Sequence, residues 1–418
     1  MARHRRPETP PDTSPVDPRL TRRTLLHAGA VAPVLAGLAS GACAEQGRDS
    51  SFDALPATRT GRVLLGVYPK TQDAVERAAA QLDFSWLSPG DSVLLKLASN
   101  SAKPHPATTL PRAVESMVRL LKARGAGRVV VADQAGIEWV RYRAGDTYLT
   151  QRNTGTVLTE NGLRAAVDAS GAEAHWFDSQ PFDTGYFAAT PPRISHWNNG
   201  IFIPAIVREV DHIIYMPRLS AHAVTGYTMG LKLAVGWMRD DTRLEFHQKG
   251  KSLYEKYVQV SYAPEIKDKL RLTFSWVEKL LLDIGPDSGT VVTLPHGLVV
   301  ASQHVADHDV VGQVVLMAHD DVNPSPLDVL AVYPEQANYW NRYLVEFWGN
   351  EALAGYEPHV PGSHWKGVAF DPAVRHAYVL DGVAPQRITV AHDGEPLPPN
   401  LVQALEGYDG GLLRVERA

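Results

Sequence analysis

Two stretches of this chain gather residue types that bind anions, move protons or hold metals. The first runs Pro217-Arg218-Leu219-Ser220-Ala221-His222, then Thr225-Gly226-Tyr227-Thr228-Met229-Gly230-Leu231-Lys232, and on through Gly236, Arg243 and His247. It follows Asp211–Met216, an apolar run that reads as a buried strand closed by Pro217. A strand passing through a short, polar, glycine-bearing turn into a helix aims backbone N–H groups at an anion. Lys232 stands among apolar neighbours, where a lone ammonium is costly without a partner. Lys96, Lys232 and Arg243, with Thr228, are therefore candidates to bind a small phosphate or carboxylate ligand. His222, whose ordinary pKa lies near working pH, is the candidate for proton transfer, with Asp133 as its catalytic companion. The alternative is a glycine-rich connector whose lysine snorkels to water.

The second stretch is His304-Val305-Ala306-Asp307-His308-Asp309, just past the apolar run Gly297–Ser302. Imidazole with carboxylate suits zinc, iron or manganese. His304 and His308, at helical i, i+4 spacing, would share a face. His247, His304, His308 and Asp309 are thus the candidate ligands for a divalent metal cofactor, with His222 in reach of the same set. Alternatively, Asp307 or Asp309 caps a helix continuing as Val310–Ala318, with the histidines at its solvated start. The single cysteine, Cys43, excludes structural disulfides, a cysteine zinc site and an iron–sulfur cluster. No G-x-S-x-G elbow, Walker loop, H-E-x-x-H or strand-linked G-x-G-x-x-G occurs.

The elements that must position these groups alternate in type. Arg62–Val67, Ser92–Leu97 and Arg128–Ala132 read as buried strands, with helical spacing over Asp73–Leu82 and Leu110–Arg124 between them. That order predicts an α/β fold: a doubly wound, mostly parallel sheet with helices on both faces. Ligands in such sheets lie at the carboxyl ends of strands, where Lys96 and Asp133 fall. Residues 134–160 lack a clear period and read as an excursion over the sheet top. A helix is expected near Glu160–Ala169, a strand over Ala174–Phe177, helices over Thr225–Trp237 and Leu270–Leu282, and a late strand at Gly297–Ser302. The main α/β body is expected over 61–320. A smaller C-terminal α/β extension of the same body follows over 321–418, with an aromatic helix at Gln336–Gly349 and a helix then a strand after Asp371. The chain has 418 residues, 44% apolar and 21% charged, enough for a substantial core. With 41 basic against 46 acidic residues, its net charge of −5 argues against nucleic acid as a partner.

Residues 1–44 read as a signal peptide, with 45–60 as a polar tether. Arg22-Arg23 precede a short, weakly apolar run from Ala28 to Ala42, a twin-arginine (Tat) pattern too short to span a bilayer. Two exits are open: Ala42-Cys43-Ala44 for ordinary cleavage, or Ser40-Gly41-Ala42-Cys43 as a lipobox that would lipidate Cys43. The expected partners are the Tat export machinery and a small anionic ligand. Contact with membrane would come only through the signal peptide or a lipid on Cys43, and the expected location is the periplasm or the outer side of the membrane.

Four segments carry a family resemblance: VLLKLASN at 93–100 with VVVAD at 129–133, DHIIYMPRLSAH with TGYTMGLKLAVG over 211–236, GLVVASQHVADHD at 297–309, and DPAVRHAYVLDGVAPQRITV at 371–390. On these the chain resembles the domain of unknown function 362 family. Lys96, Asp133, His222, Thr228, Lys232, Gly236, His247 and Asp309 match its pattern. The chain departs from it at Leu97-Ala98, Ser220, Leu233 and His304, where the family usually has Pro-Asn, Lys, Asn and Asp. The resemblance implies a soluble α/β domain. Some members carry an appended ferredoxin-like cluster module, for which this chain has no cysteines. The expected function is an envelope enzyme acting on a small anionic substrate, metal-assisted if the second cluster binds; the alternative is a non-catalytic small-ligand or metal-binding lipoprotein. Replacing Arg22 and Arg23 with Lys is expected to hold the protein in the cytoplasm on cell fractionation, because the receptor reads the pair as an address rather than as charge. Normal export of that variant would remove the Tat assignment.

Overall fold

In the computed structural model, residues 52, 54–222, 225–247, 252–282, 285, 287, 289–322 and 367–418 are described. The expected signal segment with Cys43 and the helix expected over Gln336–Gly349 lie outside them. Runs rich in Val and Leu form strands β1 (Ala57–Tyr68), β2 (Ser92–Leu97) and β3 (Arg128–Asp133). Helix α1 (Ala74–Ala79) starts where the Asp73 side chain accepts the Val75 and Glu76 N–H groups. Helix α2 (Pro111–Ala123) opens on proline, whose missing N–H costs nothing there. The excursion contains a small hairpin, β4 (Tyr142–Arg143) and β5 (Thr147–Tyr148), before α3 (Thr154–Glu160), α4 (Leu163–Ser170) and β6 (Glu173–Trp176). A second hairpin, β7 (Tyr186–Ala189) and β8 (Ile201–Pro204), leads to β9 (His212–Met216). Strands β10 (Ser220–His222) and β11 (Gly226–Thr228) form a third, followed by a 3-10 helix over Lys232–Trp237 and by α5 (Asp240–His247), α6 (Leu253–Ser261) and α7 (Pro264–Lys267). The long strands β12 (Leu270–Leu282) and β13 (Thr290–Ser302) precede α8 (Val305–Val322). The described chain ends with α9 (Pro372–Asp381), β14 (Val383–Gly394), α10 (Pro399–Gly407) and β15 (Leu413–Arg417).

The main sheet runs in the order β15-β14-β1-β13-β12-β9-β2-β3-β6, with β10 and β11 attached beside β12. Neighbours along it are parallel except β1 with β13 and β13 with β12. Side chains alternate across the pleat. Val93, Leu95, Val129 and Val131 join one core with Val75, Met117 and Leu163 of α1, α2 and α4. Leu94, Val130 and Ala132 join the other, with Val258, Val311, Val374 and Leu401 of α6, α8, α9 and α10. Both faces are therefore covered, and the fold is α/β and doubly wound, as expected. Each fully buried Val or Leu contributes roughly 1.5–3 kcal/mol. Among the described residues, no helix is long and apolar enough to cross a membrane.

Three local expectations are corrected. Leu270–Leu282 is a strand rather than a helix: its apolar residues fit either period, and pairing to β9 and β13 on its two sides decides the matter. Thr225–Trp237 is half hairpin and half 3-10 helix, because Thr228 and Gly226 pair with Ser220 and His222. The expected tether is shorter than 45–60, since Ala57–Thr60 already belong to β1 and pair with β14.

His304 sits just before α8 as a clamp. Its Nδ1 lies 3.1 Å from Asp307 and its Nε2 2.7 Å from Asp381 at the end of α9, and its ring stacks on Tyr378. Asp307 also receives Arg59 from β1 and the Tyr378 hydroxyl at 2.6 Å. Burial opposes protonation of His304, yet the hydrogen bonds to Asp307 and Asp381 outweigh it and raise its pKa. Despite burial, His304 and Lys267 hold the Asp381 carboxyl down at about 2. The stabilisation is complete below the unfolded histidine value of about 6.5 and is lost as pH rises through the higher folded value; on the acid side it fades as pH falls below about 4 toward 2. His304→Gln is expected to lower the unfolding free energy by about 2 kcal/mol near pH 5.5, and by progressively less from pH 7 to 9 in urea titrations. A pH-independent difference would remove the charged clamp.

Candidate functional site

Strands β2 and β3 end side by side, and their last polar side chains meet. The Lys96 ammonium pairs with Asp133 and also donates to the Leu97 carbonyl at 3.0 Å. Burial pulls the Lys96 pKa down while Asp133 opposes that shift. The other Asp133 oxygen accepts the Ser99 N–H at 2.8 Å and its hydroxyl at 2.6 Å, so one carboxylate ties both strand ends together. Gly236 of the 3-10 helix lies directly against the pair. A Cβ there would stand 2.4 Å from the Lys96 nitrogen and 2.5 Å from Asp133. The neighbouring Trp237 ring lies 5.6 Å from the Lys96 nitrogen.

Above this pair opens a cavity of about 150 Å³. Lys96, Asp133, His222, Thr228, Lys232, Arg243 and His247 all line it, so every residue expected to bind the anion or move a proton is brought to one place. Their states differ. Arg243 is spent on the backbone, donating to the Ala135 carbonyl at 2.9 Å and lying 3.9 Å from Asp240. Lys96 is neutralised by Asp133. Lys232 makes no hydrogen bond or ion pair with any described residue; burial, then the nearby Arg218 guanidinium, pull its pKa down to about 7.

The two histidines arrive in opposite tautomers. His247 Nδ1 lies 2.7 Å from the Arg243 carbonyl, so that nitrogen carries the proton and Nε2 is the unprotonated one. His222 Nδ1 accepts the Thr225 N–H at 3.4 Å, which puts the proton on Nε2. Burial holds His247 at about 3, and burial with Lys232 and Arg218 holds His222 well below its usual value. Both are neutral at ordinary pH. A ligand anion beside them would raise both.

The sequence reading missed the mouth. Glu138, in the excursion, faces the cavity with Asp287; partial burial and then that second carboxylate push Glu138 up to about 7. Asp240 anchors the excursion by accepting the Tyr142 N–H and the Gln134 amide, and burial raises it to about 6. No motif flags these acids, because the excursion has no period and Asp287 sits in what reads as a plain turn.

The candidate metal ligands do not meet. His247 is in the cavity, whereas His304 belongs to the clamp, and His308 bonds Ser275 at 3.0 Å and Asp309 at 2.8 Å. Asp309 accepts the Gly230 and Leu231 N–H groups, each at 2.8 Å, and so fixes the segment that leads into Lys232. Helix α8 starts at Val305, so His304 and His308 do not share its face, and Asp309 holds another segment rather than capping its own helix. Among the described residues, no group of three or more His, Cys, Asp or Glu side chains could hold a metal ion. The spacing misled because α8 directs successive residues to different partners.

Gly236→Ala is expected to destabilise the protein by about 1–3 kcal/mol in thermal denaturation, since the methyl group must displace the Lys96–Asp133 pair. An unchanged melting temperature would mean that the close approach is not required.

No curated protein matches the chain. Among solved structures it aligns with the lactate racemase apoprotein from Thermoanaerobacterium thermosaccharolyticum, at 11% identity over 84% of this chain and 92% of that one, with a TM-score of 0.38. A protein from Thermotoga maritima aligns at 10% identity over 82% and 90%, with a TM-score of 0.35. The family model for Domain of unknown function (DUF362) matches residues 93–313, a span that contains every described residue lining the cavity. The chain therefore belongs to the DUF362 family.

Proposed function

We propose that the protein is an exported enzyme acting on a small anionic substrate, bound by Lys232 and processed by proton transfer at His222 and His247. The observation that carries this reading is the Lys232 ammonium, set in a cavity without an acceptor among the described residues. A half-buried cation in that state is costly, and an entering anion relieves the cost. The volume, about 150 Å³, is that of a cavity able to hold benzene and suits a group of about six heavy atoms. Leu233, Val235, Phe246 and Leu253 supply apolar wall, so the charge contact acts in a low dielectric. His222 Nε2–H can donate a hydrogen bond to a developing negative charge and His247 Nε2 can take a proton, a division of labour set by their backbone partners. Export, supported by Arg22-Arg23, would place this chemistry in the envelope.

The test is thermal stabilisation by acetate, oxalate and phosphate. At least one is expected to raise the melting temperature of the wild type at pH 6. Lys232→Met is expected to fold, since it keeps volume while removing a buried charge, and to lose the effect. Because Lys232 is charged below about 7, affinity is expected to fall about tenfold per pH unit above that value. Absence of stabilisation by all three anions at pH 6 would overturn the reading.

A further inference from the structure

We propose that Lys232 is a nucleophile that forms an imine with a small aldehyde or ketone carrying a carboxylate. The inference rests on the anion-site reading above and names its substrate class. A lysine that only held a negative charge would serve better fully protonated and hydrated. Lys232 is instead half-buried against apolar wall, with no hydrogen-bond or ion-pair partner among the described residues and the Asp287 carboxylate across the same cavity, so its lone pair is not engaged when the proton leaves. Burial and Arg218 keep a large fraction of the amine neutral near pH 7. The fully buried lysines are committed: Lys96 to Asp133, and Lys256 to the Glu245 carbonyl at 2.9 Å.

The atoms balance with one proton drawn from solvent. The neutral amine nitrogen adds to the carbonyl carbon as the C=O pair moves onto oxygen, where His222 Nε2–H donates a hydrogen bond to the developing charge. His247 Nε2 takes the proton that the nitrogen sheds and returns it to that oxygen, leaving a carbinolamine. A solvent proton on its hydroxyl then expels one water as the C=N bond forms, giving a protonated imine. The apolar wall of Leu233, Val235 and Phe246 favours loss of that water and slows its return. The substrate carboxylate offsets the positive field of Arg218 at the amine and of Arg243 at His247.

The full chain is treated with glyoxylate and sodium cyanoborohydride, and peptides are mapped by mass spectrometry. Carboxymethylation is expected first at Lys232. Its rate is expected to rise through a midpoint near pH 7, whereas solvated lysines, with pKa near ~10.4, react at least about tenfold more slowly there. Lys232→Met is expected to lose this fast phase, and the wild-type pH profile and site map decide the matter alone should that variant fail to fold. Labelling spread over surface lysines without enrichment at Lys232 overturns the proposal. Stabilisation by acetate with no label at Lys232 refutes the imine and leaves the anion site standing. Equal labelling at Lys232 by uncharged glycolaldehyde supports the nucleophile but removes the carboxylate from its substrate class.

Discussion

One carboxylate, Asp133, holds the site in register. It meets the Lys96 ammonium from the neighbouring parallel strand and takes both the N–H and the hydroxyl of Ser99 just past that strand's end. Trp237 covers the pair and donates its indole N–H to the Tyr215 hydroxyl on β9 at 2.9 Å, so three adjacent strands share one polar junction. Removing one member of such a buried pair costs about 3–5 kcal/mol, because the survivor is left charged in an apolar setting. The junction also dictates a glycine at position 236, since only a residue without a Cβ lets the 3-10 helix bearing Lys232 approach.

Support for that helix comes from α8. Asp309 on α8 anchors the two amides that precede Lys232, and His308 beside it reaches Ser275, whose hydroxyl donates to the Pro217 carbonyl at 3.0 Å. The His304–Asp309 run thus has three separate duties: clamping α8 to α9 and β1, bracing the end of β9, and fixing the entry to the 3-10 helix. None of them is at the cavity wall. Chemistry-bearing residue types close together in sequence need not be close in function, because a helix turns each to a different neighbour.

Legibility in the sequence followed how local the deciding physics was. The runs over β2 and β3 could only be buried strands, and the spacing of Val114, Met117 and Leu121 could only be one face of a helix, so the parallel wing was readable. In Leu270–Leu282, Leu272, Phe274 and Trp276 alternate while Leu280, Leu281 and Leu282 are contiguous, and only the partners on either side settle the conformation. Lys96, Asp133, His222, Lys232 and His247 could be grouped because strand ends and a turn-then-helix pattern mark the top of a sheet. Glu138 and Asp287 join them through tertiary folding alone.

Strand β1 is made early, yet both of its sheet partners come late: Leu64 sits opposite Ala301 on one side and Ala391 on the other. Closing such long intervals is entropically slow. During synthesis on the ribosome, β1 therefore stays unpaired in this sheet until more than two hundred residues have followed it, and its second edge waits until more than three hundred have. A chain that loses β14 would leave β1 with an open edge, a template for aggregation rather than a shortened version of the same protein.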